Sequence, residues 1–187
     1  MFGVLVVQKQ DGICKYIGAI SGKLPGNVKC HGLAPSVFDD SVGDYFINKG
    51  MTELTEIGSQ ISTSDSLSEI NALKEKRRDK SIALQQRLFE NYHFLNLSGK
   101  EQSLFKIFKN ALNESPPSAA GECAAPKLLQ YAIKHQLKPI ALAEFWWGNA
   151  TKKREKNVFY PACKNRCQPI LEYMLEDKDL FIQANVI

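Results

Sequence analysis

The sequence predicts an α/β fold: a small sheet, opened by an N-terminal hairpin and covered by helices. Three observations carry this. Two β-prone runs, Val4 to Gln8 and Tyr16 to Ser21, flank the Asp11-Gly12 pair that favours a tight turn. Helical spacing dominates the middle of the chain. A further apolar run, Pro139 to Trp147, lies between two helix-like segments. The 187 residues are 44% hydrophobic and 24% charged, which suits one soluble domain over residues 1–187. No apolar run approaches the roughly 20 residues of a membrane helix. Met1 to Val7 has no basic region ahead of its apolar stretch and reads as a strand, not a signal peptide. The expected compartment is the cytoplasm, where thiols stay reduced. An odd set of 5 cysteines also argues against a disulfide framework. The net charge of +4 is mild, so its distribution matters more than its size.

In chain order, Gly22 to Asn27 breaks the hairpin ladder. Gly and Pro recur from Val28 to Met51, which reads as an irregular segment packed by Val37, Phe38, Tyr45 and Phe46. Thr52 reads as a helix cap ahead of Leu54, Ile57 and Ile61. Ser62 to Ser66 is polar and reads as a loop. A long helix follows from Leu67 to Tyr92, with a partial apolar stripe and a stretch, Lys74 to Lys80, charged almost all round. Residues 52–100 leave room for a helical insertion. Ser103 to Leu112 is amphipathic and stops before Ser115-Pro116-Pro117-Ser118. The next helix starts near Pro126 and turns Leu128, Leu129, Tyr131, Ala132 and Ile133 inward. Pro139 to Trp147 reads as a buried strand, Gly148 to Asn157 as a basic loop, and Cys163 to Leu175 as the last helix.

Three cysteines stand where helices begin. Cys123 opens one, while Cys163 and Cys167, four apart, would share one helix face. A helix N-terminus favours thiolate over thiol, and thiolate is the form that binds zinc. This layout resembles the zinc-dependent nucleoside deaminases. There one motif supplies a His or Cys ligand with a catalytic Glu two residues on, and Pro-Cys-x-x-Cys supplies the other two ligands. Two departures count against deamination. Ala125 stands where the proton-moving Glu would be, with Glu122 and Glu144 as the nearest carboxylates, and three residues separate Cys163 from Cys167. No catalytic residue is therefore assigned. Three readings stand side by side: a zinc held by Cys123, Cys163 and Cys167, with the Cys30-His31 loop as a source of a fourth ligand; small thiols that pack like Ala or Val; or a catalytic metal. A Cys163–Cys167 disulfide is disfavoured by parallel side chains on a helix face.

Lys152, Lys153, Arg154, Lys156, Lys164 and Arg166 crowd into one stretch with Glu155 as the only acid among them. Such a cluster suits phosphate, and Trp146, Trp147, Phe159 and Tyr160 beside it suit base stacking. The simpler alternative is that the rings are core and the charges solvate a loop. The three histidines make no triad, and no Gly-rich phosphate loop or nucleophile elbow is present.

The segments Phe2 to Val7, Ser21 to Leu24, Pro35 to Asp39, Gly121 to Leu129, Ala143 to Gly148 and Phe159 to Leu171 together resemble the N-terminal accessory region of a long form of the RluA-type RNA pseudouridine synthases. The resemblance implies cytidine-deaminase-like layers, a role in RNA modification, and two partners: RNA and a synthase catalytic domain. In such proteins the synthase domain would begin near Ile187. Its His-Arg-Leu-Asp signature is not in this sequence, because Gly, Phe and Gln follow His31, His93 and His135. The expectation is an accessory domain without synthase activity. A zinc-dependent nucleobase hydrolase and a purely structural interaction module are the alternatives.

Overall fold

The computed structural model describes residues 1–22, 32–38 and 40–176. Its elements run β1 (Phe2–Gln8), β2 (Cys14–Ile20), α1 (Asp40–Thr63), α2 (Leu67–Asn91), β3 (His93–Leu95), β4 (Glu101–Ser103), α3 (Leu104–Leu112), α4 (Ala124–Lys134), β5 (Lys138–Phe145) and α5 (Gln168–Met174). Contacts group the chain into two compact units, one of Met1–Val37 with His93–Ile187 and one of Phe38–Tyr92. The span 52–100 expected for a helical insertion differs from this helical unit at both ends. Among the described residues no helix is long and apolar enough to cross a membrane.

The larger unit is the predicted α/β layer. β1 pairs antiparallel with β2 from Phe2↔Ile20 to Gln8↔Cys14. Asp11 tightens the turn, its carboxylate accepting from the Ile13 amide at 3.0 Å. β5 lies antiparallel on the other side of β1, so the strand order is β2-β1-β5. Along β1, Gly3, Leu5 and Val7 are buried and alternate with half-exposed residues, the period-two signature of a sheet covered on one face. The cover is α4, which meets all three strands and is buried from Ala124 through Gln130. Behind it, Leu104 and Phe108 of α3 and Ile170 and Met174 of α5 complete the core with Leu128. The short β3–β4 hairpin, not foreseen from sequence, hangs on α4 through a Leu95 amide donated to the Gln130 side chain at 2.9 Å. Leu112 does not join the core as its spacing suggests; it is exposed at the end of α3.

In the smaller unit, α1 and α2 pack as a hairpin. Helix α1 begins at Asp40, so the segment expected to be irregular up to Met51 is helical from there on. Tertiary packing explains the difference. A Cβ on Gly50 would meet the Leu84 methyls at 2.7 Å, so this glycine lets two helix backbones approach. Leu54 and Ile57 are buried, the Arg87 guanidinium lies 4.4 Å from the Phe46 ring centroid, and Lys80 pairs with Glu53. Ser66 caps α2, accepting from the Glu69 amide. The Lys74–Lys80 stretch is almost wholly exposed, as its charge pattern predicts.

Gly3 sets how close α4 comes to the sheet. A Cβ at this position would meet Ala124 Cβ at 2.7 Å and Leu128 Cδ1 at 2.9 Å. Ala124 is fully buried and its Cβ is fixed to the helix backbone, so Gly3→Ala must force α4 and the sheet apart. The expected cost is about 1–3 kcal/mol in urea unfolding. Gly12→Ala serves as the control: nothing lies within 4 Å of its added Cβ, although its φ of +82° brings some strain. An unfolding midpoint for Gly3→Ala equal to wild type would contradict this packing.

Candidate metal centre

Cys123 occupies the N-cap of α4, with an extended backbone (φ −72°, ψ 158°). An N-cap side chain ordinarily accepts from the first-turn amides, but the Cys123 sulfur makes no such bond. Other residues satisfy those amides. Ser21 Oγ accepts from the Ala124 N–H at 3.1 Å, and Glu144 Oε1 accepts from the Ala125 N–H at 3.2 Å. The cap is thus supplied by β5 and the end of the hairpin, which leaves the thiol available. Lys127, 3% exposed at its side chain, fastens the same corner. Its ammonium donates to the Ile20 and Gly22 carbonyls at 3.2 and 2.7 Å and pairs with Glu122 at 3.1 Å. The Gly22 amide returns a bond to the Glu122 carbonyl at 2.7 Å.

Cys163 and Cys167 come from the other side, and not as expected. They do not share a helix face: α5 begins only at Gln168, and residues 164–167 form a turn in which the Cys167 amide donates to the Cys163 carbonyl at 3.1 Å. Pro169 near the start of α5 suits the helix there, where no amide partner is lost. The turn folds the two side chains together, so the parallel arrangement invoked against a disulfide does not hold either. Their sulfurs lie 3.1 Å apart as free thiols. Cys167 is buried and Cys163 exposed. All three sulfurs, Cys123 included, lie within 4.8 Å of one another, close enough to hold a metal ion. Tetrahedral zinc with Zn–S bonds of about 2.3 Å spaces its sulfurs by about 3.8 Å, inside the range found here. Cys30 and His31, the expected source of a fourth ligand, lie outside the described residues.

The electrostatics are those of a shared thiol cluster. The Cys123 thiol is lowered to about 7, chiefly because Cys167 donates to its thiolate; burial and the Glu144 charge oppose this, while Cys163 and Arg166 assist. The Cys167 thiol is pushed up by that same hydrogen bond to Cys123 and by its burial. Glu144 is 7% exposed. Burial raises its carboxyl above the usual value, against the pull of the Ala125 and Ala124 amides, the N-terminal ammonium and Arg154.

Lys152, Lys153, Arg154 and Lys156 are all exposed on a loop that the chain itself braces. Backbone bonds pair Trp146 with Val158 and Asn157, Tyr160 with Glu144, and Thr151 with Arg154, while the Tyr160 hydroxyl accepts from the Glu155 amide at 2.7 Å. Lys164 and Arg166 are exposed on the cysteine turn. The expectation of a buried strand through Trp147 is corrected: β5 ends at Phe145, Trp146 is half-buried and Trp147 is exposed. Sequence reasoning missed Ser21 and Lys127. Ser21 caps a helix 103 residues away, and nothing local marks such a pairing. Comparison with models of known families, with curated proteins and with solved structures gave no match.

Replacing Glu144 by Gln keeps an acceptor for the Ala125 amide and removes a buried charge. A carboxyl raised in the folded state opposes folding once it must ionise there, so its contribution worsens as pH rises through the folded pKa. Glu144→Gln should therefore unfold at higher denaturant than wild type at neutral pH, with the advantage shrinking as the pH is lowered toward the carboxylate range. A Gln variant less stable than wild type at neutral pH would show that the amides outweigh the burial.

Proposed function

We propose that this chain is a zinc-binding, deaminase-like accessory domain that serves RNA modification in the cytoplasm, binding RNA for an RluA-type pseudouridine synthase and carrying no synthase activity itself. The single observation that carries the metal half is the convergence of three thiols from two separate elements within 4.8 Å. Cys123, Cys163 and Cys167 would hold the ion. Bound there, zinc would link the α4 N-terminus to the turn before α5 and leave one coordination position for water or a further ligand. Ala125 offers no carboxylate at the first turn, which favours a structural over a hydrolytic role. The RNA half rests on six exposed cations, Lys152, Lys153, Arg154, Lys156, Lys164 and Arg166, all on the segment that carries Cys163 and leads into Cys167. The synthase partnership rests on the sequence resemblance.

Protein purified without chelators should carry about one equivalent of zinc by elemental analysis, and Cys163→Ser and Cys167→Ser should each lose most of it. Less than about half an equivalent would sink the metal reading. For RNA, affinity for a structured RNA should fall as salt rises. Lys152→Gln with Lys153→Gln should flatten the log–log slope by roughly 0.7–0.9 per removed charge. A slope of zero in the unmodified protein would sink the RNA reading.

One observation favours a second reading, a zinc-dependent hydrolase acting on a nucleobase. The buried Glu144 carboxylate sits at the first-turn amides of α4, beside Cys123. Zinc would supply an activated water, and Glu144 would hold and return a proton there. Ammonia release from nucleosides that is present in the wild type and absent in Glu144→Gln would favour it; none in either protein would exclude it.

A further inference from the structure

The face of β1 and β5 opposite α4 ends in a cluster of four aromatic rings. Phe2 and Phe145 are cross-strand partners with nearly parallel rings, 6.1 Å between centroids at 22°. Trp147 stands edge-on to both, at 6.4 and 6.2 Å. Phe159 stands edge-on to Phe145 at 5.8 Å. The inner pair holds the outer pair in place, and the outer pair faces water: Trp147 is 57% exposed and Phe159 67%. Two bare rings packed on two others form an exposed apolar patch, the kind of surface that suits an apolar, flat partner.

The charges around them say which kind. The Lys156 ammonium lies 5.9 Å from the Trp147 ring centroid, and the Arg154 guanidinium 5.3 Å from that of Trp146. Trp146 is locked in turn by its indole N–H, which donates to the Asn149 carbonyl at 2.8 Å. Glu155 is the only acid on the stretch from Lys152 to Lys156. A rigid ring platform rimmed by cations matches an unpaired nucleotide, whose base offers a flat face and whose phosphate offers a negative charge. A duplex keeps its base faces stacked inside and offers a ring only its backbone and groove edges.

We propose that Trp147 and Phe159 stack unpaired bases of single-stranded RNA while Arg154 and Lys156 meet the adjoining phosphates. This rests on the RNA-binding reading above and names the form of RNA that it takes. Fluorescence anisotropy distinguishes the two levels, using the whole chain and three labelled probes of about twelve nucleotides: an oligouridylate, an RNA duplex, and an abasic ribose-phosphate chain of equal charge. The oligouridylate should bind tightest. Trp147→Leu and Phe159→Leu, both at exposed positions, should each weaken it roughly tenfold while leaving its salt slope and the abasic chain's affinity unchanged. Equal binding of the abasic chain or the duplex, or Leu variants that bind oligouridylate like wild type, would overturn the stacking while RNA binding itself stands. If none of the probes binds at low salt, both readings fail.

Discussion

The arrangement of this domain depends on how the first turn of α4 is capped. A helix start leaves amide donors that must find acceptors. Here they find them on Ser21, at the end of the hairpin, and on Glu144, near the end of β5. One carboxylate and one hydroxyl thereby tie the helix to both outer strands of the sheet. The same choice releases the N-cap residue, Cys123, from capping, so that its sulfur can meet Cys163 and Cys167. Gly3 makes the arrangement possible, since any side chain there would hold α4 off the sheet. Lys127 fastens the same corner, a buried cation whose ammonium is matched by two carbonyls and Glu122. A buried ion pair of this kind adds little stability of itself, yet removing one partner leaves a charge without compensation.

Much of the α/β unit was legible in the sequence because its signals are local. Asp11-Gly12 between alternating apolar residues specifies a hairpin, Ser103 ahead of Leu104, Ile107 and Phe108 specifies an amphipathic helix, and the serines around Ser66 specify a break. The failures share a physical cause. Helix α1 runs on either side of Gly50, a residue of low helix propensity, where the glycine packs closely on Leu84, a contact that local sequence does not display. Cys163 and Cys167 have helical spacing, but a turn can also bring residues four apart together, and periodicity alone does not separate the two. Trp147 follows an apolar strand yet lies outside it, because the ladder ends at Phe145 and the chain turns back toward Phe159.

At the centre itself, the three sulfur positions were legible and their environment was not. The cysteines announced themselves by type and by their place near helix starts. The carboxylate that lies beside them was less clear: the sequence offers Glu122 and Glu144 as equal neighbours, and only the pairing of β5 with β1 brings Glu144 over the α4 N-terminus. Its presence changes what the missing glutamate two residues after Cys123 means. A carboxylate does lie near the thiols, but it comes from a strand, and it is engaged in holding the helix. That engagement is why the structural reading of the metal is preferred to the hydrolytic one.

We propose that these three thiols form one metal site whose shape the capping of α4 makes possible. Zinc K-edge X-ray absorption on the zinc-loaded protein tests it most directly. The expected first shell is three sulfurs at about 2.3 Å with one lighter donor. A shell of nitrogen and oxygen alone, or of a single sulfur, would contradict it.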